Sequence, residues 1–166
     1  MTPPSAPQPT DSDVTAAALA QLDRLQTFFG RVEGKASFLF AVNLALLGAL
    51  RSSAGVSGFI ATVLLGFSMI NLYAAFYPHL KNPRASVLYF ADIARLTAEE
   101  YRARIKNATS SEMADDALCQ VWRNAQILDK KFKRSRSAFL LTAAAIPFWL
   151  ALLALGVASD GKLPGL

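Results

Sequence analysis

Residues 138–158 form a run of 21 residues without a charge. At 1.5 Å per residue a helix of that length is about 30 Å long, the thickness of a bilayer's hydrocarbon layer. In lipid a helix satisfies every backbone polar group within itself. A basic collar of Lys130, Lys131, Lys133, Arg134 and Arg136 stands directly before the run. Before the collar, Met113, Ala117, Leu118, Val121, Trp122, Ala125, Leu128 and Phe132 recur at three- and four-residue steps, one face of a helix. No strong breaker separates these parts. The stretch 111–159 therefore reads as one rod, wet at one end and in lipid at the other.

Two further apolar runs precede it. Residues 36–50 lie between Lys35 and Arg51. The run is short for a span, but snorkelling by the flanking cations extends it. Its Ser37, Ala41, Ala45 and Ala49 recur every fourth residue, a small-residue stripe that lets helices approach closely in lipid. Residues 59–77 form the second run and end at Pro78–His79. The two make a helical hairpin. Pro147 inside the third run is expected to kink it. The expected fold is an all-α membrane protein with three transmembrane helices, an N-terminal amphipathic helix and a small helical cytoplasmic module continuous with the last span. Its parts are a disordered tail at 1–11, rich in proline, and an amphipathic helix at 12–35. Spans follow at 36–53 and 57–77, then a helical region at 79–136, a third span at 137–158 and a short tail at 159–166.

The N-terminal helix is expected to open on Asp11 or Ser12. Its Ala18, Leu22, Leu25, Phe29, Val32 and Ala36 make a heptad-like seam, which suits packing within the chain or between subunits. In the 79–136 region, Thr97 with Glu100 and Thr109 with Glu112 have the spacing of capping boxes, each opening a helix.

Charge sets the orientation. The net charge is +5, and residues 79–136 hold 12 of the 17 Lys and Arg. By the positive-inside rule, residues 1–35 and 79–136 face the cytoplasm, and 51–58 and 160–166 lie outside. Next to membrane spans, such basic residues meet lipid headgroups rather than a nucleic acid polymer. No basic segment precedes an apolar core at the N-terminus, so no cleavable signal peptide is expected.

Nothing in the sequence points to an enzyme. The chain has one cysteine, Cys119, and one histidine, His79, too few for a zinc cluster built on these side chains. No metal or cofactor is expected. Cys119 reads as a packing residue, His79 as an interfacial one, and Asp115 and Asp116 as solvated carboxylates. No nucleophile elbow, phosphate-binding loop, zinc-protease or dinucleotide motif is present.

Two sets of residues stand out instead. Asn43 and Asn71 lie at matching depths in the first two runs, so a hydrogen bond between them is expected, as helix glue or as a gate. Lys35, Arg84 and the collar residues Lys131 and Arg134 meet at the cytoplasmic boundary if the spans bundle. Tyr89, Phe90 and Trp122 are nearby candidates to stack on a base. Cations beside an aromatic face suit a phosphate-bearing nucleobase.

The order of parts resembles the Pycsar effector transmembrane family over roughly residues 19–158. The resemblance rests on VEGKASFLFAVNLALLGAL, PRASVLYFADIARLTAEEY and QILDKKFKRSRSAFLL. Its telling points are Glu33 to Ala36, the Pro83–Arg84 pair followed by Leu88, Tyr89 and Phe90, and the Lys-Lys-Phe before the last span. The chain is also similar to small membrane effectors of CBASS systems. The resemblance implies a protein of the bacterial inner membrane, paired with a nucleotide cyclase. A cyclic nucleotide made on infection activates such an effector, which impairs the membrane so that the cell dies before the phage matures. The ligand is expected in the helical cytoplasmic part, between subunits of a homo-oligomer. A ligand-independent scaffold and a holin-like toxin are the rival readings.

Overall fold

A computed structural model describes residues 8–50, 55–77 and 86–160, the segment 155–160 by its backbone alone. Among these residues the regular structure is helical: α1 (Asp11–Gly48), α2 (Gly55–Phe76), α3 (Phe90–Ile93), α4 (Ala98–Asn107) and α5 (Ser110–Asp160). The chain divides into two compact units. One comprises Met1–Phe29 and Pro78–Leu128, the other Gly30–Tyr77 and Asp129–Leu166. Helices α1 and α5 each run through both units without a break.

In the first unit each long helix starts on a side-chain cap. Thr10, not Asp11 or Ser12, caps α1: its amide donates to Asp13 Oδ2 at 3.0 Å and its hydroxyl accepts from the Asp13 amide at 3.3 Å. Thr97 and Glu100 form the expected capping box on α4. Thr109 and Glu112 do the same on α5, with the Thr109 amide 2.8 Å from Glu112 Oε2. The buried apolar residues of this unit are Ala18, Leu25, Ala114 and Ala117. Apart from Leu25 they are alanines, so among the described residues few large side chains fill its interior. Leu118 and Trp122, expected on the inward face of α5, are exposed, and so is Cys119. The inward face is instead set by Ala114, Ala117 and Gln120, at three-residue steps.

The second unit is packed by α2 and the adjoining parts of α1 and α5. The buried residues of α2 are Gly58, Ala61, Leu65, Ser68, Leu72 and Ala75. Their alternating steps of three and four are those of helices packed at a shallow crossing angle. Ala138, Thr142 and Ala145 continue the same rhythm on α5. Ala36, Leu72 and Ala138 meet in the core, with Leu39 and Phe40 packed against them. The stripe of Ser37, Ala41, Ala45 and Ala49 lies on the exposed face of α1. Asn43 decides which face of α1 turns inward, because its amide must find partners.

The distribution of polarity in this unit is inverted. Asn43 and Ser68 are fully buried, while Phe38 is 72% exposed, Phe59 69% and Phe139 61%. Water as the surrounding medium would penalise this arrangement on both counts. Hydrocarbon rewards it. Two helices among the described residues are long and apolar enough to cross a membrane: Gly55–Phe76 and the segment within Ser110–Ala154. Helix α1 is not one of them; its apolar part, residues 36–48, is only about 20 Å long. Helix α5 continues through Pro147.

Candidate functional site

Two arrangements of polar side chains have the geometry of a site, one in each unit. The first centres on Asp116. Its Oδ2 accepts from Ser86 Oγ at 2.9 Å, from the Val87 amide at 2.9 Å and from the Leu88 amide at 3.3 Å. Ser86 Oγ in turn accepts from the Tyr89 amide at 3.0 Å and from Gln120 Nε2 at 3.1 Å. The Ser86 amide donates to Asp92 Oδ2 at 3.1 Å. Asp116 and Gln120 are four apart on α5 and so face the same way. Together they hold the turn that leads into α3. Asp116 is therefore a structural acceptor rather than the solvated carboxylate that the sequence pointed to.

The turn places Tyr89 against Arg123. The guanidinium carbon lies 4.6 Å from the ring centroid, a cation–π contact. Phe90 meets Tyr89 edge-on at 5.0 Å, and is itself exposed. Beside this turn runs a groove of 1030 Å³ lined by Val87, Ala103, Arg104, Asn107, Asp115, Cys119, Trp122, Arg123 and Gln126, among others. Three carboxylates outside the turn are held below their ordinary pKa. Asp13 is held there chiefly by the Thr10 hydroxyl, Glu100 by the Thr97 amide and Glu112 by the Thr109 amide. Each of these hydrogen bonds favours the charged form.

The second arrangement is a buried polar tie. Asn43 Nδ2 donates to Ser68 Oγ at 2.7 Å, and Ser68 Oγ donates to the Ala138 carbonyl at 2.9 Å. Thr142 Oγ1 donates to Asn43 Oδ1 at 2.8 Å. One side chain from each of α1, α2 and α5 is thereby engaged, and both ends of the amide are satisfied. Asn71 is not part of it: its Nδ2 donates to the carbonyl of Phe67 on its own helix at 2.9 Å. Ser68, three residues earlier, occupies the inward position that was expected for Asn71.

Arg84 lies outside the described residues. Tyr89 and Phe90 belong to the first unit; Lys35, Lys131 and Arg134 belong to the second. Lys131 Nζ is paired with Glu33 Oε1, joining α5 to α1 within the second unit. Lys35 and Arg134 are exposed on the same two helices. Sequence reasoning passed over Ser86, Arg104, Gln120 and Arg123. The spacing of Asp116 and Gln120 was the available signal for that turn, since two hydrogen-bonding side chains on one helical face need something to bind.

A family model described as a Pycsar effector protein domain matches residues 17–158. The chain belongs to that family. The Pycsar effector domain thus takes in both units, the polar tie and the groove. It makes the protein an antiphage defence effector, and the inverted packing makes it a membrane protein. Neither curated proteins nor solved structures give a match to this Pycsar effector.

Proposed function

We propose that the protein is held inactive until a cyclic nucleotide, made by a partner cyclase on infection, binds its cytoplasmic helical region. It then impairs the bacterial inner membrane, and the infected cell dies. The inverted packing of the second unit is the observation that carries this reading: a body with Asn43 inside and Phe38, Phe59 and Phe139 outside belongs in lipid. In this reading residues 36–53, 57–77 and 137–158 span the membrane, with the N-terminus and residues 79–136 on the cytoplasmic side. Subunits assemble into a homo-oligomer. Ligand binding shifts the population towards a membrane-perturbing state by its differential affinity for the two. The unbroken course of α5 offers a path from the wet segment to the span.

Expression with and without a nucleotide cyclase, read by a membrane-potential dye, tests the proposal. Depolarisation and growth arrest are expected only when both are present. Killing by the effector alone favours a holin-like toxin. Failure of every cyclic nucleotide to shift its unfolding in detergent, with no killing, favours a scaffold.

A further inference from the structure

Charge gives way to apolar surface at one level of the second unit. There α1 brings Arg31 and Lys35, and α5 brings five cations between 130 and 136. Two carboxylates stand among them, and each is taken up within this belt: Glu33 by Lys131, and Asp129 by Lys133 at 2.7 Å. Lys35, Lys130, Arg134 and Arg136 are exposed, and none of the four pairs with a carboxylate among the described residues. The belt is thus strongly positive on a surface that the fold leaves open.

The helix period gives two of these cations an apolar neighbour. Phe38 follows Lys35 by three residues, and Phe139 follows Arg136 by three. Each ring therefore lies on its cation's face, about 4.5 Å further along the axis. Both rings are exposed. Ala36 meets Ala138 in the core, and Asn43 bonds to Thr142. So α1 and α5 run side by side, with Lys35 and Arg136 level to within about 3 Å. A cation followed by an exposed ring is presented twice at one height. Water penalises the exposed rings, and hydrocarbon penalises the cations. The combination matches an amphiphile whose anionic head sits directly above its chains. The guanidinium fork and the ammonium meet phosphate oxygens, their stems lie along apolar surface, and the rings meet the first methylenes.

We propose that this belt is a binding surface for anionic phospholipid of the surrounding bilayer. A zwitterionic lipid brings its own ammonium to the phosphate and leaves the belt's charge unbalanced. A lipid of net negative charge balances it. Lys35 and Arg134, which by sequence suit the phosphate of a soluble ligand, here meet the phosphate of a lipid.

The test uses the purified full chain in detergent micelles doped with equal amounts of phosphatidylglycerol and phosphatidylcholine of the same acyl chains. Native mass spectrometry counts the lipids that stay bound. One cation beside a membrane changes affinity for anionic lipid by a factor of about five. The parent is therefore expected to retain phosphatidylglycerol over phosphatidylcholine about fivefold or more. Lys35→Gln, Arg134→Gln and Arg136→Gln together should bring the ratio close to one, with helical circular dichroism unchanged. Should that triple variant not fold, Arg136→Gln alone should lower the ratio severalfold. Arg24→Gln, Arg102→Gln and Lys106→Gln remove the same charge from the first unit and should leave the ratio as in the parent. Lys35→Arg with Arg136→Lys keeps the charge and should keep the preference. A parent ratio near one overturns the proposal, and so does an equal loss in the two triple variants. Inorganic phosphate or a cyclic mononucleotide, at millimolar concentration, should leave the retained lipid in place. Displacement by either would make the belt a site for soluble phosphates instead. If the belt triple variant keeps the preference but loses a complex between copies, the surface is a subunit contact and the lipid claim is wrong.

Discussion

Thr142 Oγ1 lies 2.8 Å from Asn43 Oδ1, and so joins α5 to α1 across 99 residues of sequence. The Asn43 amide reaches Ser68 on α2 with its other end. Replacing Asn43 by alanine leaves two buried hydroxyls without that partner. The expected cost is about 1–3 kcal/mol, the range for a buried polar group that loses its partner. Asn71→Ala, which gives up a bond to its own helix, should cost about 0.5 kcal/mol or less. Unfolding midpoints in one detergent compare the two. Equal effects would remove the tie from the account of this bundle.

The Lys131–Glu33 pair links the same two helices through charge. The carboxylate side chain is 47% exposed, so solvent screening keeps the coupling small, about 1 kcal/mol or less. Glu33→Lys and Lys131→Glu should each lower the unfolding midpoint, and the double exchange should recover most of the loss. A double exchange no better than the worse single change would show that packing, not charge, matters there.

Asp116 holds the backbone of Val87 and Leu88 through one oxygen. Asp116→Ala is expected to speed amide exchange at Val87 and Leu88 by about tenfold or more, because the loss of such bonds opens the turn locally. Exchange at Leu72, in the core of the second unit, should not change. Hydrogen exchange read by mass spectrometry separates the two segments.

Acid should loosen the helix starts. Asp13, Glu100 and Glu112 have folded pKa values below their ordinary ones. Their contribution is therefore complete above the ordinary carboxylate range, and fades as the pH falls through that range to the lowered values. Glutamine keeps the capping geometry without titrating. The Glu100→Gln, Glu112→Gln double variant should thus lose less helical circular dichroism on acidification than the parent. A parallel loss in both proteins would assign the acid sensitivity to other groups.

Local signals were legible without the fold. Thr97 with Glu100 and Thr109 with Glu112 announce helix starts by spacing alone, since both partners of each box lie within one turn. Helix α1 is less legible: Thr10 rather than Asp11 or Ser12 caps it, and among the described residues it does not have the length of apolar sequence that α2 and α5 have. The role of Asp116 is not legible locally, because its donors lie about thirty residues away in the sequence.

By itself the sequence determined that the chain is helical, that it seeks lipid and where its charges gather, because each of these depends on composition and period along a single helix. Which face turns inward was decided only by the tertiary structure. Asn43 could have answered to Asn71 by depth, but Ser68 and Thr142 stand on the packed faces. Trp122 fits an apolar stripe by spacing, yet the packing of Ala114, Ala117 and Gln120 turns it out to the groove. A helix offers several faces of similar pattern, and the choice among them is made by the partners that the other helices bring.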